Sequence, residues 1–395
     1  MLTVDQAQAL LSQRAKPVSG VESLPLLETL GRVLAEDLVS GIDVPPHDNS
    51  AMDGYALRLA DAGVALPVSQ RIPAGSVPQA LAAGSVARIF TGAPIPPGAD
   101  LVVMQELAEP AADGSVWFKP PLQAGQNIRR AGEDIRRGAV VLQAGRKLTS
   151  ADIGLAASIG VAELVVRRPL RVAVFFTGDE LVEPGAVLSA GQIYNSNRYW
   201  LVPELMRLGC EVTDFGIIPD SFGATRDALE EAAGLADVIM TCGGVSVGEE
   251  DHVKAAVEAA GELDLWKVAI KPGKPLASGS VGEAVFVGLP GNPVSGFVTF
   301  HVMVKPALQR AQGLMAVEQP PQRYVADFDW SRPDAKREEF LRVRRVLRDG
   351  AWRLERFAHQ GSGVLTSCAW ADGLVRLAPG QVVRPGDSLA FILLE

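Results

Sequence analysis

Apolar residues recur at helical spacing near the start of the chain, at Val4, Ala7, Leu10 and Leu11 and again at Leu27, Leu30, Val33 and Leu34. That period predicts two amphipathic helices within residues 1–44. Pro45 and Pro46 break the pattern, and the surrounding stretch DVPPHDNSAMDGYA packs acids, an asparagine and a serine into a loop that reads as a boundary. From there to about residue 137 the apolar positions form short runs (66–71, 85–90, 101–105, 116–119) separated by glycine and proline, the pattern of a small inserted β domain. Helical periodicity returns over 150–159, with Thr149 or Ser150 as N-cap.

Residues 169 to about 312 alternate strand-like and helix-like segments: RVAVFFT, NRYWLVPELMRLG, EVTDFGII, ATRDALEEAAG, DVIMTCGG, VKAAVEAAG, WKVAI, EAVFVGLPG and NPVSGFVTFHVMVKPAL. Strands with few polar breaks, each followed by a helix, predict a mainly parallel sheet with helices on both faces. Beyond the proline-bearing AQGLMAVEQPPQ the chain returns to β, with Asp349-Gly350 marking a hairpin. The expected fold class is therefore α/β and multi-domain. Residues 1–45 plus 138–168 form an N-terminal helical or linker domain, 46–137 an inserted β domain, 169–313 the central α/β domain and 318–395 a C-terminal barrel-like β domain.

Composition narrows the function. The 395 residues hold 37 lysines and arginines against 46 acids, a formal charge of −9. A nucleic-acid groove needs a surplus of positive charge, so that class is set aside; an anionic small molecule requires a local basic pocket. Hydrophobic residues at 48% and charged ones at 21% describe a folded chain. Cys210, Cys242 and Cys368 are odd in number and widely spaced, which suits neither a disulfide framework nor a Cys/His zinc site. Apolar runs such as 389–394 fall far short of the ~18 residues that span a bilayer. The amphipathic N-terminus lacks a basic n-region and a cleavage site, so a cytoplasmic enzyme without membrane attachment is expected.

In open parallel sheets ligands bind at the carboxyl ends of the strands. Four segments occupy such ends: TGDEL (177–181), CGGVSVGEED (242–251), KPGKP (271–275) and PGNPVS (290–295), the last with Asn292 as N-cap and Pro293 at the first helical position. Taken singly, each reads equally as a turn or a capped helix start. The glycine loop is neither a Walker A nor a G-x-G-x-x-G fingerprint. Together they describe a site for a phosphorylated ligand, with Asp179, Glu180, Asp220 and Asp251 suited to a hard cation such as magnesium and Lys271 and Lys274 to an oxyanion. Among His47, His252, His301 and His359 none has a metal-ligand spacing, and His301 on an apolar helix reads as a core or interface histidine.

At these loops the sequence closely resembles the molybdopterin molybdenumtransferase family, the bacterial MoeA proteins and the E domain of gephyrin. The matching segments are DVPPHDNSAMDGYA, IFTGAPIPPGAD, RRAGEDI, FFTGDEL, GQIYNSN, TCGGVSVGEED, WKVAIKPGKP and GLPGNPVS, in order along residues 43–299. The resemblance implies magnesium-dependent insertion of molybdate into adenylylated molybdopterin with release of AMP. It places functional polar residues at Asp53, Thr91, Asp134, Glu180, Asp220 and Asp251. Asp53, Thr91, Glu180 and Asp251 would be catalytic, and Asp134, Glu180, Asp220 and Asp251 would hold the metal. Gly243, Gly244, Ser246, Lys271, Lys274, Pro275 and Ser295 would bind substrate, joined from the C-terminal domain by Arg337 and Ser367. It further implies a homodimer in which Asp53 and Thr91 complete the partner's site, with molybdopterin adenylyltransferase and apo-molybdoenzymes as pathway partners. His252 stands where many members carry tyrosine. Two other readings remain at this stage, ATP-dependent adenylylation of molybdopterin and a non-catalytic scaffold like gephyrin, and the sequence does not separate molybdate from tungstate.

Overall fold

The computed structural model describes residues 1–244, 252–315 and 321–394. The chain starts with α1 (Val4–Arg14), closed by a capping box in which Thr3 and Gln6 exchange side-chain and backbone hydrogen bonds. Its buried face, Val4, Ala7 and Leu11, joins the core of the central α/β unit.

The second expected N-terminal helix does not form. Residues 21–25 are instead a strand, β1 (Val21–Pro25), followed by a single 3-10 turn over Leu26–Glu28. Leu27 and Leu30 are 91% and 63% exposed, so the apparent helical stripe is not an apolar face. Gly31 at φ +76° stops any helix there, and Leu34 is buried through a bridge to Val166. The expected helix at 150 forms as α2 (Ser150–Ser158), capped by Thr149 in a reciprocal pair with Asp152. It leads into β2 (Glu163–Arg167), which pairs antiparallel with β1.

Between these pieces lies a six-stranded sheet whose strands run, in spatial order, Leu101–Met104, Gly54–Leu57, Val86–Ile89, Leu66–Ile72, Ser115–Phe118 and Ala108–Pro110. Apolar side chains such as Ile72, Ile89 and Val102 fill one cluster, and Leu57, Val86 and Phe118 another.

The α/β unit contains β3 (Arg171–Thr177), α3 (Ser196–Arg207), β4 (Glu211–Ile218), α4 (Phe222–Leu235), β5 (Val238–Cys242), α5 (His252–Ala260), β6 (Gly261–Lys267), β7 (Ile270–Lys271), β8 (Pro275–Val281), β9 (Ala284–Leu289), α6 (Pro293–Thr299) and α7 (Lys305–Ala311). The sheet order is β4-β3-β5-β9-β8-β6. β4, β3, β5 and β9 are parallel, whereas β8 and β6 are antiparallel additions at one edge. The WKVAI segment is thus split: its start closes β6, and Ile270 leaves the sheet in β7. β3 and β5 are buried almost end to end, as a sheet covered on both faces requires.

The C-terminal strands β10 (Gln322–Ala326), β11 (Glu338–Arg348), β12 (Ala351–Arg356), β13 (Gly373–Leu377) and β14 (Ser388–Leu393) close on themselves in the order β11-β12-β10-β14-β13 and back to β11. The Asp349-Gly350 hairpin forms with both central residues at positive φ, 51° and 74°. β7 pairs parallel with β11, Ile270 opposite Glu338 and Lys271 opposite Glu339, and so stitches the barrel to the α/β unit. Among the described residues no helix is long and apolar enough to cross a membrane.

Candidate functional site

A cleft of about 820 Å³ opens at the carboxyl ends of β3, β5 and β9. Each strand delivers one loop. β3 ends at Thr177 and passes into Gly178 and Glu180; β5 ends at Cys242 and passes into Gly243 and Gly244; β9 passes into Pro290, Gly291 and Asn292. The β5 and β9 loops approach closely, since a Cβ on Gly291 would stand 3.5 Å from the Gly243 Cα. Gly244 is held at φ +62° with Val253 packed against it, a position that a side chain would have to displace.

The start of α3 also lines the cleft. Its N-cap Asn195 accepts from the Arg198 N–H, and Asn197 donates to the Gly291 carbonyl at 2.7 Å. Asn292 is the N-cap of α6 by position, with Pro293 following, but its side chain makes no capping hydrogen bond. Buried Ser295 completes this side.

The cationic wall comes from the KPGKP turn and the barrel. Lys271 Nζ lies 2.8 Å from the buried Glu339 carboxylate, which also accepts from the Trp330 indole N–H and the Asp334 N–H. Arg337 donates to Asp334 through Nε and Nη2 at 3.0 and 2.7 Å. Backbone N–H donation from Lys336 and this guanidinium pull the Asp334 carboxyl down to about 2. Lys274 is exposed and has no ion-pair partner among the described residues.

Glu180, Asp220, Gly243, Gly244, Lys271 and Lys274 therefore converge on one cleft, together with Pro275, Ser295 and Arg337. Ser246 and Asp251 lie outside the described residues.

Three other expected residues lie elsewhere in this chain. Asp53 and Thr91 meet in loops just outside strands Gly54–Leu57 and Val86–Ile89 of the inserted sheet, where the Asp53 carboxylate accepts from both the Thr91 N–H (2.8 Å) and its hydroxyl (2.7 Å). Those hydrogen bonds hold the Asp53 carboxyl below its ordinary range. Asp134 is exposed in the loop that bridges to Val44. None of the three lines the cleft. Asp179 is likewise exposed and does not line it. Among the described residues no three carboxylate, histidine or cysteine side chains gather.

Ser367 is displaced from its expected role. It is fully buried, accepts from the Arg342 Nε–H at 3.1 Å and donates to the Val364 carbonyl at 2.6 Å, so its hydroxyl is consumed inside the barrel. The serine that the barrel region contributes to the cleft is Ser362, beside Gln360 and Gly361. Their loop is held by Arg342, a buried guanidinium that donates to the Phe340 and Gly361 carbonyls. The HQGSG sequence, with two glycines around a serine, was the available signal; the buried arginine gave none, because its neighbours Leu341 and Val343 look alike in any strand pattern.

An α/β unit whose strand-end loops share one cleft with a small barrel defines the class of sheet proteins that take a ligand at the carboxyl ends of their strands. Residues 173–310 match the family described as a probable molybdopterin binding domain. Residues 2–160 match the MoeA N-terminal region (domain I and II), and residues 325–394 the MoeA C-terminal region (domain IV). The molybdopterin molybdenumtransferase of Haemophilus influenzae is 45% identical over 81% of this chain and 80% of its own. Molybdopterin molybdenumtransferase 2 of Mycobacterium tuberculosis is 38% identical over 97% of both. The crystal structure of a molybdopterin biosynthesis MoeA protein from Pyrococcus horikoshii superposes with a TM-score of 0.85 at 28% identity, covering 100% of each chain. The chain belongs to the molybdopterin molybdenumtransferase family and is an enzyme of molybdenum cofactor biosynthesis.

Proposed function

We propose that this enzyme inserts molybdate into the dithiolene of adenylylated molybdopterin and releases AMP, with magnesium assisting. The observation that carries the reading is the convergence of Lys271, Lys274 and Arg337 with the Gly243-Gly244 loop and two carboxylates on one cleft of a chain whose net charge is −9.

The side chains divide by charge. Lys271, Lys274, Arg337 and the N–H of Gly244 would hold molybdate and the pyrophosphate oxygens, which carry the negative charge, the Gly243 N–H being donated to the Leu289 carbonyl at 3.1 Å. Glu180 and Asp220 offer hard oxygen donors, the set that suits magnesium, which takes one or two carboxylates and completes its shell with water and substrate phosphate. A bound magnesium ion would polarise the phosphoanhydride and lower the pKa of a water beside it. Ser295 and Ser362 would position oxyanion oxygens by hydrogen bonding.

Asp53, Thr91 and Asp134 are read as contributions to the cleft of a second copy in a homodimer. The support is their placement: exposed, with Asp53 fixed in orientation by Thr91, and outside their own chain's cleft. Asp251, from the loop outside the described residues, is proposed as a further metal ligand and Ser246 as a further substrate contact. A cytoplasmic enzyme receiving substrate from a molybdopterin adenylyltransferase and passing cofactor to apo-molybdoenzymes completes the reading.

The test supplies purified protein with adenylylated molybdopterin, molybdate and magnesium. AMP release and cofactor that reconstitutes an apo-molybdoenzyme are expected. No AMP, with turnover of ATP and molybdopterin instead, would reassign the chain to the adenylylation step.

A further inference from the structure

A second hollow, of about 240 Å³, lies at the opposite end of the central sheet and shares no residue with the cleft. Arg168 and Pro169, just ahead of β3, and Gly209, just ahead of β4, place it at the amino ends of those strands. Its other wall is the segment around Gly31 and Val33 with Lys147, so it sits on the seam between the β1/β2 lobe and the α/β unit.

Five cationic side chains line this hollow, Arg32, Lys147, Arg167, Arg168 and Arg207, and no acidic side chain does. Three of them are paired with carboxylates that stand outside the lining: Arg32 with Glu22 at 2.8 Å, Arg168 with Asp237 at 2.7 Å and Arg207 with Glu204 at 2.6 Å. Lys147 and Arg167 have no carboxylate partner among the described residues.

The arginines among them are held in place by hydrogen bonds, while Lys147 is exposed. Arg167 donates through Nη1 to the Val18 carbonyl at 2.7 Å, and its shank lies where a Cβ on Gly313 would approach within 2.3 Å. The Arg32 guanidinium donates to the Arg167 carbonyl at 2.8 Å, and the Gln312 amide to the Leu208 carbonyl at 2.9 Å. The positive field reaches the next helix: burial first, then Arg207 and Lys147 among the nearby charges, push the Lys305 ammonium below its ordinary range, with Glu204 opposing them.

We propose that this hollow is a second anion site, taking a tetrahedral oxyanion of the phosphate class at the lobe seam. Fixed guanidinium forks match such an oxyanion in geometry, and Lys147 supplies the point charge that pairs with it. The proposal does not rest on the reaction assigned to the cleft.

The test is calorimetric titration of the full chain with inorganic phosphate at constant ionic strength, in the wild type and in Lys147→Glu, Lys147→Arg and Lys274→Ala variants. Lys274→Ala weakens phosphate binding in the cleft, and a second phosphate site whose affinity it leaves unchanged is expected. That site should weaken at least about tenfold in Lys147→Glu and persist in Lys147→Arg, while Lys147→Glu leaves AMP release within about twofold of wild type. Competition by glycerol phosphate in the Lys274→Ala protein assigns the site to a phosphate ester, and its failure assigns it to the free ion. Heat that sodium chloride reproduces at the same ionic strength, or an isotherm unchanged by Lys147→Glu, would overturn the proposal.

Discussion

Lys271 Nζ lies 2.8 Å from a Glu339 carboxylate that is 1% exposed, so the cleft's lysine is anchored by an acid of the barrel. The pair sits on the β7/β11 register, Lys271 opposite Glu339, where the two units are stitched together. Glu339→Ala removes the acceptor of the Trp330 indole and Asp334 N–H groups as well as the lysine's partner. Leaving such half-buried donors unpaired costs about 1–3 kcal/mol. Urea unfolding should show that loss, with Glu339→Gln losing less. The affinity for molybdate should fall with it, because Lys271 is no longer held at the cleft wall.

Ser362 and Ser367 make opposite predictions although they are five positions apart in one loop and helix. Ser367→Ala should cost about 1–2 kcal/mol, the value of the hydrogen bonds it makes to Arg342 and Val364. Its KM for molybdate should stay near wild type. Ser362→Ala should leave the melting temperature in place and raise that KM, by about tenfold if one hydrogen bond to the oxyanion is lost. Equal KM changes in both variants would remove Ser362 from the binding wall.

Gly244 stands at φ +62° with a Val253 methyl 2.4 Å from where a Cβ would be. Gly244→Ala therefore carries both a backbone and a steric penalty, together about 1–3 kcal/mol. Gly243 is constrained too, since its Cβ would meet the Thr177 carbonyl at 3.0 Å. Thermal denaturation should show the loss, and AMP release should fall further than stability alone explains because the β5 loop shapes the cleft.

The fold was legible wherever one physical signal dominated. Short runs with few polar breaks such as 172–176 and 238–242, bounded by turn residues, read as strands covered on both faces, and they are. Asp349-Gly350 needs positive φ at both positions and takes it. Leu27, Leu30, Val33 and Leu34 misled because spacing alone does not distinguish a helix from a meandering segment that buries only Val33 and Leu34. Site residues at strand ends were legible because topology sends strand ends to one edge. Ser362 lines the cleft and Ser367 does not because the barrel's closure, which decides whether a serine faces the cleft or Arg342, depends on pairings distant in sequence.

His301 is buried among Phe297 and Phe300, and its Nε2 has no hydrogen-bond partner. Burial, then the Lys305 and Arg207 charges, push its pKa down to about 3, with the Glu204 carboxylate 4.0 Å away too distant to reverse this. The unfolded chain binds a proton at this histidine near its ordinary 6.5. Between those values the unfolded state holds more protons, so stability falls as pH drops from about 6.5 toward 3, by at most about 1.4 kcal/mol per pH unit for this one group. His301→Leu removes the titration and keeps the site apolar. Urea midpoints compared at about pH 7, 6 and 5 should decline less steeply in the variant. Parallel declines in the two proteins would show that His301 does not titrate this way.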